Sequence, residues 1–155
     1  MIVEMTGDIF ASGAGALVNT VNCVGVMGKG IALAVKQRFP KVYADYRYAC
    51  GISLVRPGHV FVSATGLWPP EGPRFVVNLP TKRHWRNPSS LDDVQAGLAS
   101  LVEVLPQLGV ASVAIPALGC SNGGLSWGAV RPLIWAVLGP SPLFVLVYPP
   151  LQQNS

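Results

Sequence analysis

At 155 residues, half of them hydrophobic, 12% charged and with a net charge of +4, the chain has the size of one domain with one sizeable core and the wrong composition for a disordered segment. No apolar run reaches the ~18 residues that cross a bilayer, and the first residues carry Glu4 and Asp8 with no basic run, so neither a membrane span nor a secretory signal is expected. Three cysteines, Cys23, Cys50 and Cys120, without a CxxC pair, exclude a disulfide framework and predict reduced thiols in a cytoplasmic protein, while the modest positive charge favours a polyanionic partner without requiring one.

Met1 to Met5 is a short β-prone run, broken by the turn Thr6-Gly7-Asp8-Ile9. Asp8 has two readings. It caps the turn through nearby backbone amides, or its carboxylate accepts from an exocyclic amine such as that of adenine; local sequence favours the cap. Ala14 to Thr20 predicts a second strand. A glycine-spaced loop follows through Gly25, Gly28 and Gly30, and then a helix from Ile31 to Phe39 that stops at Pro40. This stretch organises the chain. Gly28 and Gly30 let the backbone approach a ligand, the first helical amides suit a phosphate, and Asn19 and Asn22 carry both donor and acceptor for sugar hydroxyls. The loop is neither GxGxxG nor a Walker A sequence, so generic nucleotide fingerprints do not apply.

Val42 to Cys50 predicts a second helix with Tyr43, Tyr46 and Ala49 on one face, read as core. Gly58 to Val62 begins a strand, Gly66 to Pro73 is a proline-rich loop, and Arg74 to Leu79 is a buried strand. The polar segment Thr81-Lys82-Arg83-His84-Trp85-Arg86 follows directly, at a strand's C-terminal end, where α/β sheets place ligand sites. Ser89 or Ser90 then caps a helix with Asp92 and Asp93 in its first turn, running to about Leu105 and ending near Pro106. Val110 to Ile115 is a strand, Pro116 to Gly124 a second glycine-rich loop, Gly128 to Leu138 a helix opened by Leu125-Ser126-Trp127, and Leu143 to Tyr148 the last strand. Trp127 and Trp135 read as core.

Strands alternating with helices predict an α/β sandwich around a largely parallel sheet. All the loops singled out lie at strand C-terminal ends, so they can converge on one cleft for an ADP-like ligand. His59 and His84 have no Cys or His at ligand spacing, and no metal is expected. No carboxylate pair predicts ordinary glycosidase chemistry. Cys120 has no identifiable partner base and reads as a small residue packed on backbone.

Thr6-Gly7-Asp8-Ile9, Val18-Asn19 with Asn22, Gly28-Lys29-Gly30-Ile31-Ala32 and Ile115-Pro116-Ala117-Leu118-Gly119, in this order, resemble the macrodomain family over nearly the whole chain. Asn78 to Arg86 and Gly123-Gly124-Leu125-Ser126-Trp127 through Val130 to Ile134 resemble its DarG-type antitoxin branch, which removes the ADP-ribose that DarT-type toxins attach to thymine in single-stranded DNA. The resemblance implies one three-layer α/β/α domain over 1–155 with a mixed, largely parallel sheet. It also implies a fragment of a longer antitoxin whose toxin-binding domain lies elsewhere.

Carried over, the resemblance makes Asp8 the adenine contact, with Ile9 beside it and Tyr148 flanking the base. Asn19, Gly28, Lys29, Gly30 and Ile31, with Gly119, Cys120, Ser121, Asn122, Gly123 and Gly124, would hold the diphosphate and ribose. Asn22 would lie at the distal ribose, and Lys82 would be the catalytic lysine, its amine attacking the sugar or trapping the opened aldehyde. Without the resemblance Lys82 reads as an electrostatic partner. Arg83, His84, Trp85 and Arg86 are candidates to bind the DNA strand, against a solvated basic loop. No cofactor is implied.

The sequence departs from the pattern twice. Ser126 stands where an aspartate is expected, and the loop Cys120 to Gly124 has no carboxylate, so a second acid or base from that loop has no residue here. Two other functions stay open: a hydrolase of ADP-ribosylated protein carboxylates, and a non-catalytic ADP-ribose-binding module.

Overall fold

The computed structural model describes residues 1–151. Six strands form one sheet: β1 (Ile2–Glu4), β2 (Ala16–Val21), β3 (Phe61–Ala64), β4 (Phe75–Pro80), β5 (Ser112–Ile115) and β6 (Phe144–Val147). Their order across the sheet is β1-β6-β5-β2-β4-β3, parallel throughout except for β3, which runs antiparallel to β4 at one edge. Four helices cover it: α1 (Gly30–Arg38), α2 (Pro40–Gly51), α3 (Leu91–Gln107) and α4 (Trp127–Leu138).

The two-residue period of a strand sends alternate side chains to opposite faces, and β2 shows how this makes three layers. Ala16 and Val18 join the core under α3 and α4, with Val94, Leu98, Leu101, Val130 and Ile134. Leu17 and Val21 join the core under α1 and α2, with Val35, Val42 and Tyr46. Nearly the whole of β2 is buried, as a central strand covered on both faces must be. Trp127 is in the α3/α4 core, whereas Trp135 is half-buried beneath the Arg131 guanidinium, 4.0 Å from its ring centre.

Several boundaries move by a few residues, each for a local reason. Pro40, expected only to stop the first helix, also opens α2, because proline's fixed φ suits a helix's first turn. Pro106 sits inside the last turn of α3 and does not end it. β3 starts at Phe61, not Gly58: His59 N–H closes a turn onto Arg56 O at 3.3 Å. Of the two serines before α3, Ser90 is the cap, its Oγ accepting from Asp93 N–H at 3.4 Å. The parallel strands β1, β6, β5, β2 and β4 deliver their following loops to one edge of the sheet.

Candidate functional site

At that edge a cleft of about 760 Å³ opens between Glu4–Phe10 after β1, Gly30 and Ile31 at the start of α1, Pro116 after β5 and Tyr148–Leu151 after β6. Asp8 is the cap that its local sequence favours, and it also lies in the cleft wall. One carboxylate oxygen accepts from Phe10 N–H at 3.0 Å and caps a 3₁₀ turn at Ile9–Ala11, while the side chain stays 56% exposed in the cleft wall with Arg38 at 4.0 Å from its other oxygen. Tyr148 is mostly buried in the same wall; burial and then the nearby Asp8 carboxylate raise its pKa, so its hydroxyl stays protonated and able to donate. Ile9 and Ile31 supply apolar walls.

The first glycine loop comes next. α1 has no side-chain cap, so no side chain occupies its first-turn amides, which remain suited to an anion. Gly28, Lys29 and Gly30 are exposed at its mouth. The two asparagines differ from expectation. Asn19 is fully buried; its Nδ2 donates to Asn78 Oδ1 at 3.0 Å and lies 3.9 Å from Met27 Sδ. It therefore supports the loop from beneath, its Oδ1 buried with no hydrogen-bond partner, because β2 points it into the α1/α2 core beside Leu17 and Val21. Asn22, 5% exposed, spends its side chain on its own loop. It donates to Val26 O at 2.8 Å and accepts from Val24 N–H at 3.0 Å and from the Tyr46 hydroxyl at 2.8 Å. In this structure its side chain braces the loop that adjoins Lys82.

Lys82 and the second glycine loop meet this one. Lys82 Nζ donates to Asn122 O at 3.5 Å, and a Cβ placed on Gly30 would lie 3.2 Å from Asn122 Nδ2. The amine and the second glycine loop thus meet the first loop at Gly30, which lines the cleft, while Lys82 and residues 119–124 lie beside it and not in its lining. Buried contacts behind Lys82 fix the junction: Ser89 Oγ donates to Thr81 Oγ1 at 3.1 Å, and Ser89 N–H donates to Gly123 O at 2.9 Å. Gly123 is obligatory there, since a Cβ would collide with Ser89 Oγ and lie 2.5 Å from Gly119 O. Ser121 and Asn122 are exposed at the loop tip. The Cys120 thiol lies 3.5 Å from Leu118 O, and burial raises its pKa, which favours the protonated thiol.

Past Lys82 the chain forms a surface cluster. Trp85 is 45% exposed, its ring stacked on His84 at 5.3 Å and covered by the Arg86 guanidinium at 4.6 Å. Arg83 faces Asp93 at 4.0 Å. The sequence reading missed Phe10, Pro116, Pro149 and Pro150 in the cleft wall, although their position just after β1, β5 and β6 was the available signal. Among the described residues no group of His, Cys, Asp and Glu could hold a metal ion, and no helix is long and apolar enough to cross a membrane.

The Macro domain family model matches residues 18–134. A curated relative from Mycobacterium tuberculosis, named DNA ADP-ribosyl glycohydrolase, is 46% identical over 151 residues, covering 97% of this chain and 42% of its own length. The chain thus spans about two-fifths of the length of such curated relatives. The solved macrodomain of Mycobacterium tuberculosis DarG is 45% identical and superposes with a TM-score of 0.92 over 97% of this chain and 98% of that one. The Thermosipho africanus DarTG structure in complex with ADP-ribose is 37% identical, with a TM-score of 0.86 over 96% of this chain and 41% of that one.

Proposed function

The chain belongs to the macrodomain family, and from that premise we propose that it removes ADP-ribose from thymine bases in single-stranded DNA, as the antitoxin half of a DarT-type system. The observation that carries this reading is that Gly30, which lines the cleft shared with Asp8 and Tyr148, also adjoins Asn122, whose carbonyl accepts from Lys82 Nζ. Adenine packs by Asp8 and Tyr148, the diphosphate lies along the α1 amides, and the far sugar arrives under the Lys82 amine. Relatives 46% and 43% identical carry the matching name.

In this mechanism the neutral Lys82 amine attacks the anomeric carbon of the distal ribose. The bond to thymine breaks, its electron pair going to the base, which takes up a proton equivalent to the one the amine loses. Ring opening leaves a Schiff base; water adds to it, and ADP-ribose departs with the amine restored. The loop Cys120 to Gly124 offers no carboxylate, which favours as second reading a module that binds ADP-ribose without cleaving it. A partner toxin would be held by a part of the protein outside this chain.

Thymine-ADP-ribosylated single-stranded DNA and glutamate-ADP-ribosylated protein, offered side by side, should give free ADP-ribose from the first. Binding without release supports the second reading, and release from the protein alone shifts the substrate to carboxylate esters. Lys82→Ala should lower turnover by ~10³-fold or more with ADP-ribose affinity retained, and borohydride should trap substrate on the wild-type chain only. Clearance at the wild-type rate by the variant removes Lys82 from the chemistry.

A further inference from the structure

Beside Lys82 lies a ledge that the proposed reaction does not use. Residues 22–26 are held from inside by Asn22 and by the Tyr46 hydroxyl, 2.8 Å from Asn22 O. Gly25 turns the ledge at φ +88°, and a Cβ there would meet Arg47 Cγ at 3.6 Å and Arg47 Cα at 3.9 Å, so Arg47 of α2 lies across its back. Val24 and Val26, on either side of Gly25, are 48% and 40% exposed. Its other end is tied to the lysine segment: Cys23 N–H donates to Arg83 O at 2.9 Å, and Cys23 Sγ lies 3.7 Å from Lys82 O. Contacts therefore run from Arg47 through residues 22–26 to the backbone of Lys82 and Arg83, with Trp85 and Arg86 next in the chain, and outline a ridge.

The ridge is cationic with apolar faces between the charges. Arg47 is exposed and enters none of the four ion pairs among the described residues, whereas Arg83 has Asp93 opposite. We propose that this ridge is a track for the DNA strand on both sides of the modified nucleotide. The strand passes over Trp85 and Arg86 on one side, and over Val24 and Val26 to a phosphate on Arg47 on the other. A guanidinium binds phosphate through paired N–H donors, an indole stacks on any base, and aliphatic side chains suit base faces and thymine methyls. This rests on the DNA-directed reading above and deepens it: the enzyme would hold flanking nucleotides and not only the adduct.

The test compares an ADP-ribosylated thymidine nucleoside with a thymine-ADP-ribosylated oligodeoxynucleotide, using the whole chain. Arg47→Met keeps the aliphatic stem over Gly25 and removes the charge. It should leave kcat/KM on the nucleoside unchanged and raise the oligonucleotide KM roughly fivefold at 0.1 M salt, with a log–log salt slope shallower by about 0.7, the value of one phosphate contact on a single strand. Arg47→Lys should recover most of the loss. An unchanged oligonucleotide KM and slope in Arg47→Met overturn the track. If the wild-type chain clears neither substrate, the proposed reaction fails and the track is read separately, from anisotropy of unmodified labelled single-stranded DNA. There a fivefold weaker binding by Arg47→Met supports the ridge and equal binding overturns it. An equal loss of affinity for polyglutamate would assign the ridge to acidic protein instead.

Discussion

Asn22 shows how a polar residue near a reacting centre can matter without touching it. Its buried amide satisfies the backbone at Val24 and Val26 and the hydroxyl of Tyr46 at once. Removing it takes the partner from Val24 N–H and Val26 O, at a cost of about 0.5–1.5 kcal/mol, while the Tyr46 hydroxyl keeps the Asn22 carbonyl. Asn22→Ala should therefore lower the urea midpoint by a corresponding amount. It should also lower kcat more than ADP-ribose affinity, because the same loop is bonded to the carbonyl of Arg83 beside Lys82. Equal loss of both, tracking stability alone, would make Asn22 a packing residue. Asn19 teaches the complementary lesson: its donor and acceptor suggested a sugar contact, but the strand period buries it with Leu17 and Val21.

At the scale of elements, the second glycine loop and α4 depend on a few contacts that a sequence shows only as residue types. Ser126, standing where an aspartate was expected, caps α4 by accepting from Ala129 N–H at 3.2 Å. Ser126→Ala should destabilise the chain by about 1 kcal/mol and Ser126→Asp should not, measured by thermal or urea unfolding. This departure from the pattern is thus structurally neutral, since either side chain supplies the cap oxygen. Gly123→Ala acts differently. Its new Cβ meets Ser89 Oγ and the Gly119 carbonyl, so the loop must shift away from Lys82 and Gly30. Calorimetric titration should show weaker ADP-ribose binding as well as slower turnover, in contrast to Lys82→Ala, which keeps binding. Retained affinity in Gly123→Ala would show that this loop does not cradle the ligand.

For the whole molecule, three half-buried thiols set a pH limit. Burial is the main cause at all three sites, and it pushes Cys23 from 9.0 up to about 11. At Cys23 the neighbouring Cys50 adds to the rise, opposed by Arg83. The unfolded chain releases these protons from about pH 9, while the folded chain still holds them. The contribution of Cys23 is therefore complete below pH 9, declines between pH 9 and about 11, and then levels off, and those of Cys50 and Cys120 decline from pH 9 in the same direction. Urea midpoints at pH 7.5, 9 and 10.5 should fall in that order, and Cys23→Ser should flatten the decline; a flat profile in the wild type would mean that the thiols are solvated.

Sequence alone determined the elements, the sheet class and the order of the loops, because strand and helix periodicity, prolines and glycine spacing are local properties of the chain. It also placed Asp8, Lys82, Gly30 and Gly123 in loops that could share a site. What only the tertiary structure decided was direction and neighbourhood: that Asn19 and Asn22 face inward, that Ser89 locks the second loop to the Lys82 segment, and that Arg47 crosses the back of Gly25. Several of those facts join distant residues: Asn19 and Asn78 are 59 positions apart, and Ser112, which accepts from Gly15 N–H at 2.9 Å, is 97 from its partner. No local pattern encodes such pairs; they follow from how parallel strands stack their loops on one edge of a twisted sheet.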